Sequence, residues 1–190
     1  MGLLGILSAF GLSASAGLNA YIPLLVVALL AKFTNLVTLK SPWDVLTSWW
    51  IIALLLALSL IEFFADKIPG VNHINDVVQT FIRPTAGAIL FAASANVITD
   101  IHPVLSLAIG LLVSGSVHAV KSVAVRPAVT VTTGGAANIA VSLLEDLLST
   151  LVSILSVVVP VLIACILIII TAWVVWWFWR RARAREKAKA

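Results

Sequence analysis

Two acidic residues near the end of an apolar stretch are the first candidates for chemistry in this sequence. Glu62 and Asp66 are four positions apart, so a helix places both carboxylates on one face. Like charges this close are unfavourable unless a cation, a proton or a basic side chain lies between them. The pair therefore indicates a cation or proton site, ion pairs with distant basic residues, or solvation at a membrane surface.

Basic residues that could pair with these carboxylates, or hold an anion, lie further along the chain. Arg83 and Arg126 are each followed by proline, and His118 and Lys121 precede the second of them. Arginine side chains and backbone amides from a glycine-rich break can hold a phosphate or a carboxylate. The sequence leaves two interpretations open: an anion or lipid-headgroup site at Arg83, His118 and Lys121, or ion pairs with acidic residues.

Two asparagines and a second acidic pair complete the polar candidates. Asn19 and Asn138 follow tracts of small residues inside apolar sequence, where an amide must find hydrogen-bond partners. Glu145 and Asp146 are adjacent, so on a helix their side chains point about 100° apart and cannot clamp one ion together. The resulting candidate binding set is Asn19, Glu62, Asp66, Arg126, Asn138 and Glu145.

Motifs of hydrolases and metal enzymes are absent from the sequence. It contains no His-Glu-x-x-His, no Gly-Lys-Ser/Thr loop and no Gly-x-Ser-x-Gly elbow. Lys121 is too close to Arg126 for the motif of phosphatidic-acid phosphatases, and Ser-Gly-His does not occur. The histidines are too scattered to indicate a metal site. We therefore predict no enzymatic activity and no cofactor.

The elements that position these residues are predicted to be membrane helices. Of the 190 residues, 62% are apolar and 11% are charged, whereas soluble domains have about half and about a quarter. A lone charge at the bilayer centre costs at least ~2.5–3.5 kcal/mol, so retained charges there need a reason. We expect an all-α integral membrane protein, a compact bundle of about five to six transmembrane or re-entrant helices.

Apolar runs of roughly the 20 residues needed to span a bilayer delimit the expected helices. The predicted spans are 3–31, interrupted by the small and polar residues 13–19 and by Pro23, and then 49–64, 84–99, 103–121 and 150–179, the last kinked at Pro160. Between them, 32–46 is predicted to be a loop, 72–82 an amphipathic interfacial helix, and 126–142 a broken or re-entrant segment.

Two alignments indicate an internal repeat. Residues 14–25 align without gaps on 133–144, and residues 75–84 align on 118–127. Each Arg-Pro pair would then lie where a peripheral segment turns into the membrane. Paired, glycine-interrupted segments point to a midplane binding site in transporters built from repeats, and the alternative is close helix packing through small residues.

The basic tail predicts the orientation of the C-terminus. Net charge is +4, and half of the twelve Lys and Arg residues lie in 180–189. A basic cluster directly after a span marks the cytoplasmic side of the membrane. We expect the tail to attract anionic lipid and not to bind nucleic acid. The predicted organisation is a membrane domain (1–149), a C-terminal transmembrane helix (150–179) and a basic cytoplasmic tail (180–190).

Four strings of the sequence carry a family resemblance: 17–21, 62–69, 83–87 and 134–146. Together they resemble a bacterial membrane family known as domain of unknown function 4126. The resemblance covers roughly residues 5–150 and leaves the final span and the tail outside it. It implies a helical inner-membrane protein with its signature in 62–69 and 134–146, and it implies no activity.

These features lead to an expected function and two alternatives. We expect a small inner-membrane transporter or permease-like protein for a cation or small solute, with a polar site between the two broken segments. One alternative is an accessory subunit of a larger membrane complex, and the other is a protein that handles lipid headgroups. The expected partners are membrane lipids, further copies of the chain or a larger complex, and no nucleic acid.

Overall fold

The structure, a computed structural model, describes residues 2–67, 71–95 and 102–187. Every regular element within these ranges is helical, which confirms the predicted all-α class. The α-helices are α1 (Gly2–Leu18), α2 (Tyr21–Phe33), α3 (Trp49–Ala65), α4 (Val71–Ala95), α5 (Pro103–Val120), α6 (Arg126–Thr133), α7 (Asn138–Val158) and α8 (Pro160–Lys187). A 3₁₀-helix, Trp43–Thr47, lies within the loop before α3, and a π-helical turn, Lys121–Val125, joins α5 to α6.

Helix length and composition support a membrane location. Among the described residues, three stretches are long and apolar enough to cross a bilayer: Val77–Ala95, Pro103–Thr133 and Asn138–Val158. Three further apolar helices, in α1, α2 and α3, are shorter. Many large apolar side chains lie on the outer surface, for example Trp50 with 87% of its area exposed. The part of the chain that the structure describes thus contains three candidate spans and three shorter apolar helices.

The predicted first span, 3–31, is divided into two helices. α1 ends at Leu18 and α2 begins at Tyr21. The Oδ1 atom of Asn19 accepts hydrogen bonds from the backbone N–H groups of Tyr21 and Ile22, at 3.1 and 3.0 Å. These N–H groups have no partner inside the helix, so the asparagine side chain stabilises the break.

The predicted interfacial helix and the predicted third span form one helix, α4, which continues through Pro84. Its exposed and buried faces are the reverse of those in a soluble protein. Val77 and Phe81 expose 65% and 74% of their areas, while Gln79 exposes 2%. A polar side chain has no partner in lipid, so it packs inward, and apolar side chains can face outward without a penalty.

The predicted segment 126–142 is broken, as expected, but the helices on either side of the break have other limits than the predicted ones. The helix that begins with α5 continues through the π-helical turn to Thr133, and the chain breaks at Gly134 and Gly135, whose φ angles are +62° and +87°. α7 then begins at Asn138, so the last predicted span does not start at 150. Pro160 starts α8 instead of kinking a longer helix, because a residue before proline, here Val159, disfavours the helical conformation.

Small residues let α1, α4 and α5 cross closely. A Cβ atom at Gly87 would lie 2.2 Å from the Cβ atom of Ser114, and one at Gly110 would lie 2.4 Å from the carbonyl oxygen of Gly87. The Ser13 hydroxyl donates to the Gly87 carbonyl at 2.8 Å, and the Ser114 hydroxyl donates to the Arg83 carbonyl at 2.7 Å. This crossing fixes the turn of α4 that carries Arg83.

Candidate functional site

Eight charged side chains from α3 to α7 meet inside the bundle, and we call them the charge cluster. Its acidic members are Glu62, Asp66, Glu145 and Asp146, and its basic members are Lys67, Arg83, Lys121 and Arg126. The formal charges of the two sets cancel. Of the three interpretations of the Glu62 and Asp66 pair, the structure shows ion pairing with basic residues.

Glu62 and Arg83 form the most deeply buried ion pair of the cluster. Arg83 Nη2 donates to Glu62 Oε1 at 2.8 Å, and the two side chains expose 0% and 1% of their areas. On the other side of the guanidinium, Arg83 Nη1 lies 3.3 Å from Nδ1 of His118. The second imidazole nitrogen of His118 lies 3.2 Å from the Thr80 hydroxyl. An ion pair therefore connects the last turn of α3 to the middle of α4.

Asp66, directly after α3, gathers donors from three elements. Arg126 Nη2 lies 2.8 Å from Asp66 Oδ2, and the Ser142 hydroxyl donates to the same oxygen at 3.4 Å. Asn75 donates to Oδ1 at 2.7 Å. Burial opposes ionisation of Asp66, but nearby basic groups, Arg126 foremost, outweigh it and hold the pKa of this carboxyl below its ordinary value.

The π-helical turn explains why two basic residues reach one carboxylate. Lys121 Nζ and Arg126 Nη2 lie 2.8 and 3.3 Å from Glu145 Oε2. In an α-helix, residues five apart point about 140° away from each other. Here the Arg126 N–H bonds to the carbonyl of Lys121, and this i to i+5 geometry brings both side chains to nearly one face. Such π-turns occur frequently at functional sites.

The break between α1 and α2 is tied into the same cluster. Lys121 Nζ donates to the carbonyl oxygen of Leu18 at 3.0 Å. Leu18 is the last residue of α1, so its carbonyl has no hydrogen-bond partner within that helix. The Asn19 amide donates to Asp146 Oδ1 at 3.0 Å, and Lys67 Nζ lies 3.6 Å from Asp146 Oδ2. Asp146 thus joins Asn19, while its neighbour Glu145 turns toward Lys121 and Arg126.

One predicted site residue hydrogen-bonds elsewhere. Asn138 Nδ2 donates to the Thr130 hydroxyl of α6 at 3.1 Å, at the outer end of the break before α7. The other five members of the predicted binding set, Asn19, Glu62, Asp66, Arg126 and Glu145, take part in or contact the charge cluster. The two Arg-Pro pairs lie inside helices instead of at turns into the membrane, and both arginines approach Asp66, at 3.9 and 2.8 Å.

Several polar residues in or beside the cluster were not among the predicted site residues, and each had only a weak signal in the sequence: Lys67, Asn75, Gln79, Ser142 and Asp146. Lys67 follows Asp66 directly, and Ser142 lies one helical turn before Glu145 on a buried face of α7 that also carries Ser149 and Ser153. Gln79 lies one turn before Arg83. A serine or a glutamine in an apolar helix does not show by itself which neighbour it faces.

The predicted anion-binding residues are occupied by protein groups. Arg83 is held by Glu62, and Lys121 is held by Glu145 and the Leu18 carbonyl. The edge of the cluster is more open, because the side chains of Lys67, Asp146 and Arg126 expose 17%, 14% and 13% of their areas. Within the described residues no group of three His, Cys, Asp or Glu side chains could hold a metal ion.

Comparison with known proteins identifies the family. A family model described as Domain of unknown function (DUF4126) matches residues 6–181. This confirms the resemblance seen in the sequence, but the match extends past the expected limit near residue 150 and includes most of α8. No curated protein and no solved structure matches the chain. Since the family model covers nearly the whole sequence, the chain belongs to the DUF4126 family.

Proposed function

We propose that the chain is a small membrane transporter or permease-like protein for a cation or small solute. The observation that supports the proposal is the charge cluster, which is balanced, buried and placed against the break between α1 and α2. Charges within apolar helices are expensive and mark ion or proton pathways in membrane proteins. Broken helices at such sites are typical of transporters.

In this proposal the observed cluster is the closed, self-paired state of the site. Arg126 bridges Asp66 and Glu145 at 2.8 and 3.3 Å and keeps part of its side chain exposed. A substrate cation that enters from this edge would take the place of the Arg126 guanidinium between the two carboxylates. The π-helical turn lies directly before Arg126. Conversion of this turn to α-helix would rotate the residues that follow it and move the Arg126 side chain.

Flux measurements test the proposal. Purified protein in liposomes is given gradients of Na⁺, K⁺ and H⁺, and ion-sensitive dyes record their movement. The double variant Glu62→Gln with Asp66→Asn is expected to lose the flux, since it removes two of the carboxylates. Asp44→Asn, at an exposed position before α3, is the matched control and should transport like wild type. Undiminished flux of every transported ion in the double variant would refute the assignment.

A second function is favoured by the completeness of the ion pairs. In an accessory subunit, balanced buried charges would serve to hold the bundle together, and no substrate would displace them. Purification from native membranes distinguishes the two functions. A partner protein in constant ratio with the chain supports the accessory subunit, whereas the chain alone or as a homo-oligomer supports the transporter.

We also propose that the protein lies in the bacterial inner membrane with its C-terminus in the cytoplasm. Two cation–π contacts at the end of α8 support this orientation. The guanidinium groups of Arg180 and Arg181 lie 5.0 and 3.7 Å from the rings of Trp176 and Trp177. Tryptophan and arginine together are typical of the cytoplasmic interface and its anionic lipids. The side chains of 182–190, the rest of the predicted tail, lie outside the described residues.

A further inference from the structure

Three buried polar atoms, on two members of the charge cluster and on the turn of α4 before Arg83, have no hydrogen-bond partner. They are Glu62 Oε2, Gln79 Oε1 and Arg83 Nε, and their residues expose 1%, 2% and 0% of their areas. Gln79 and Arg83 are one turn apart on α4, and Arg83 holds the other oxygen of Glu62. A buried polar atom left without a partner is unfavourable, because it has given up its hydrogen bonds to water. Three in one neighbourhood indicate that a small polar ligand belongs there.

The chemistry of the three atoms limits what that ligand can be. Glu62 and Gln79 each offer an acceptor, and Arg83 offers one N–H donor. The complement is a group with two hydrogens to donate and one lone pair to accept, which is a water molecule. The Arg83 guanidinium disfavours a metal cation at this place, and the Glu62 carboxylate disfavours an anion. A proton on Glu62 is compatible, because it turns Oε2 from an acceptor into a donor.

The other carboxylates of the cluster are better supplied. Asp66 has donors on both oxygens, and Glu145 Oε2 has two basic partners. Asp146 Oδ2 also lacks a hydrogen bond, but the Lys67 ammonium lies 3.6 Å away at the exposed edge. Glu62 is therefore the described acidic member of the cluster whose unpartnered oxygen lies on a residue only 1% exposed, and Gln79 and Arg83 on α4 carry the other two unpartnered atoms.

We propose that Glu62, Gln79 and Arg83 bind a water molecule, and that Glu62 Oε2 takes up and releases a proton through it. This inference rests on the proposed function in one respect, namely that the proton would be the ion coupled to transport. On uptake the proton bonds to Oε2 and makes a neutral carboxylic acid. On release it returns to the water. Arg83 stays paired in both states, since Asp66 Oδ2 lies 3.9 Å from its Nη2.

Several charged and titratable groups surround Glu62 and set the conditions of this exchange. They are Arg83 on α4, Tyr21 on α2, Asp66 after α3, Lys121 at the end of α5, and His118, which contacts Arg83. The Tyr21 phenol also interacts with Gln79.

Infrared difference spectra between acid and alkaline pH test the proton site in the purified protein. Wild type is expected to show a protonated carboxyl C=O band that titrates and shifts in D₂O. Glu62→Gln should lose this band, and the control Asp44→Asn should keep it. Gln79→Leu retains Glu62 but removes a hydrogen-bond partner, so the band should move to higher frequency, and this result decides the matter if Glu62→Gln does not fold.

The outcomes separate this inference from the proposed function. A titrating Glu62 band in a protein without any ion flux would refute transport and leave the proton site standing. The inference is overturned if Glu62→Gln retains every band of the wild type. It is equally overturned if Gln79→Leu leaves the band and its titration midpoint unchanged, whatever the liposome experiments show.

Discussion

Removal of Arg83 should be among the most damaging single changes to this fold. Arg83→Met leaves the Glu62 carboxylate, 1% exposed, without the guanidinium that lies 2.8 Å from it. Breaking a buried ion pair from one side costs about 3–5 kcal/mol. Glu62→Met should cost less, about 1–3 kcal/mol. In this variant Arg83 still has an acidic neighbour, because the Asp66 carboxylate lies 3.9 Å from its guanidinium. Replacement of both residues by methionine should be nearly neutral, since apolar residues of similar volume often replace buried pairs without loss.

A double-mutant cycle measures this difference. Unfolding of the purified variants in mixed detergent micelles, followed by circular dichroism, gives the four free energies of unfolding. Because the double variant should be nearly neutral, the coupling between the two sites is expected to equal the sum of the two single losses, about 4–8 kcal/mol. Asp44→Met, at an exposed position, should stay within about 0.5 kcal/mol of wild type. If the double variant is as unstable as the sum of the singles, within about 0.5 kcal/mol, the ion pair does not stabilise the protein.

Three further predictions concern packing, backbone conformation and pH. Gly87→Ala should destabilise the protein, because its Cβ would lie 2.2 Å from Ser114, whereas Gly115→Ala, with its nearest contact at 3.7 Å, should be neutral or stabilise by up to about 1 kcal/mol; thermal unfolding compares the two. Gly134→Ala should cost about 1–2 kcal/mol, since φ there is +62°, and chemical unfolding measures it. The folded pKa of Asp66 lies below the ordinary 3.8, so its ion pairs stabilise the protein fully above that pH and the gain disappears as pH falls through the folded value. The difference in unfolding free energy between wild type and Asp66→Asn should accordingly vanish in acid and persist at neutral pH.

Much of the helical framework could be predicted from the sequence. Apolar runs and low charge content are properties of local composition, so they indicated an all-helical chain with helices able to cross a membrane. The start of α3 at Trp49 and the interruption near Asn19 were predicted for the same reason, since each depends on residues close in sequence. The family resemblance was also visible in short strings, although it extends further than those strings indicated.

Which charges pair was decided by the tertiary structure. Periodicity correctly placed Gln79 opposite the apolar face of its segment, but it could not show that this polar face would turn inward, because that depends on whether the surroundings are lipid or water. The joint approach of Lys121 and Arg126 to Glu145 requires a π-helical turn, and an i, i+5 spacing does not predict one in advance.

Composition and local pattern were enough to establish that this chain is helical, apolar on its outside and supplied with charges that need partners. Only the packing of α1, α4, α5 and α7 decided which partners those charges have. Local sequence sets the direction of a side chain relative to its own helix axis, whereas an ion pair depends on the rotation and height of two helices relative to each other. Those two quantities arise from close contacts such as Gly87 against Ser114, which join residues far apart in the chain.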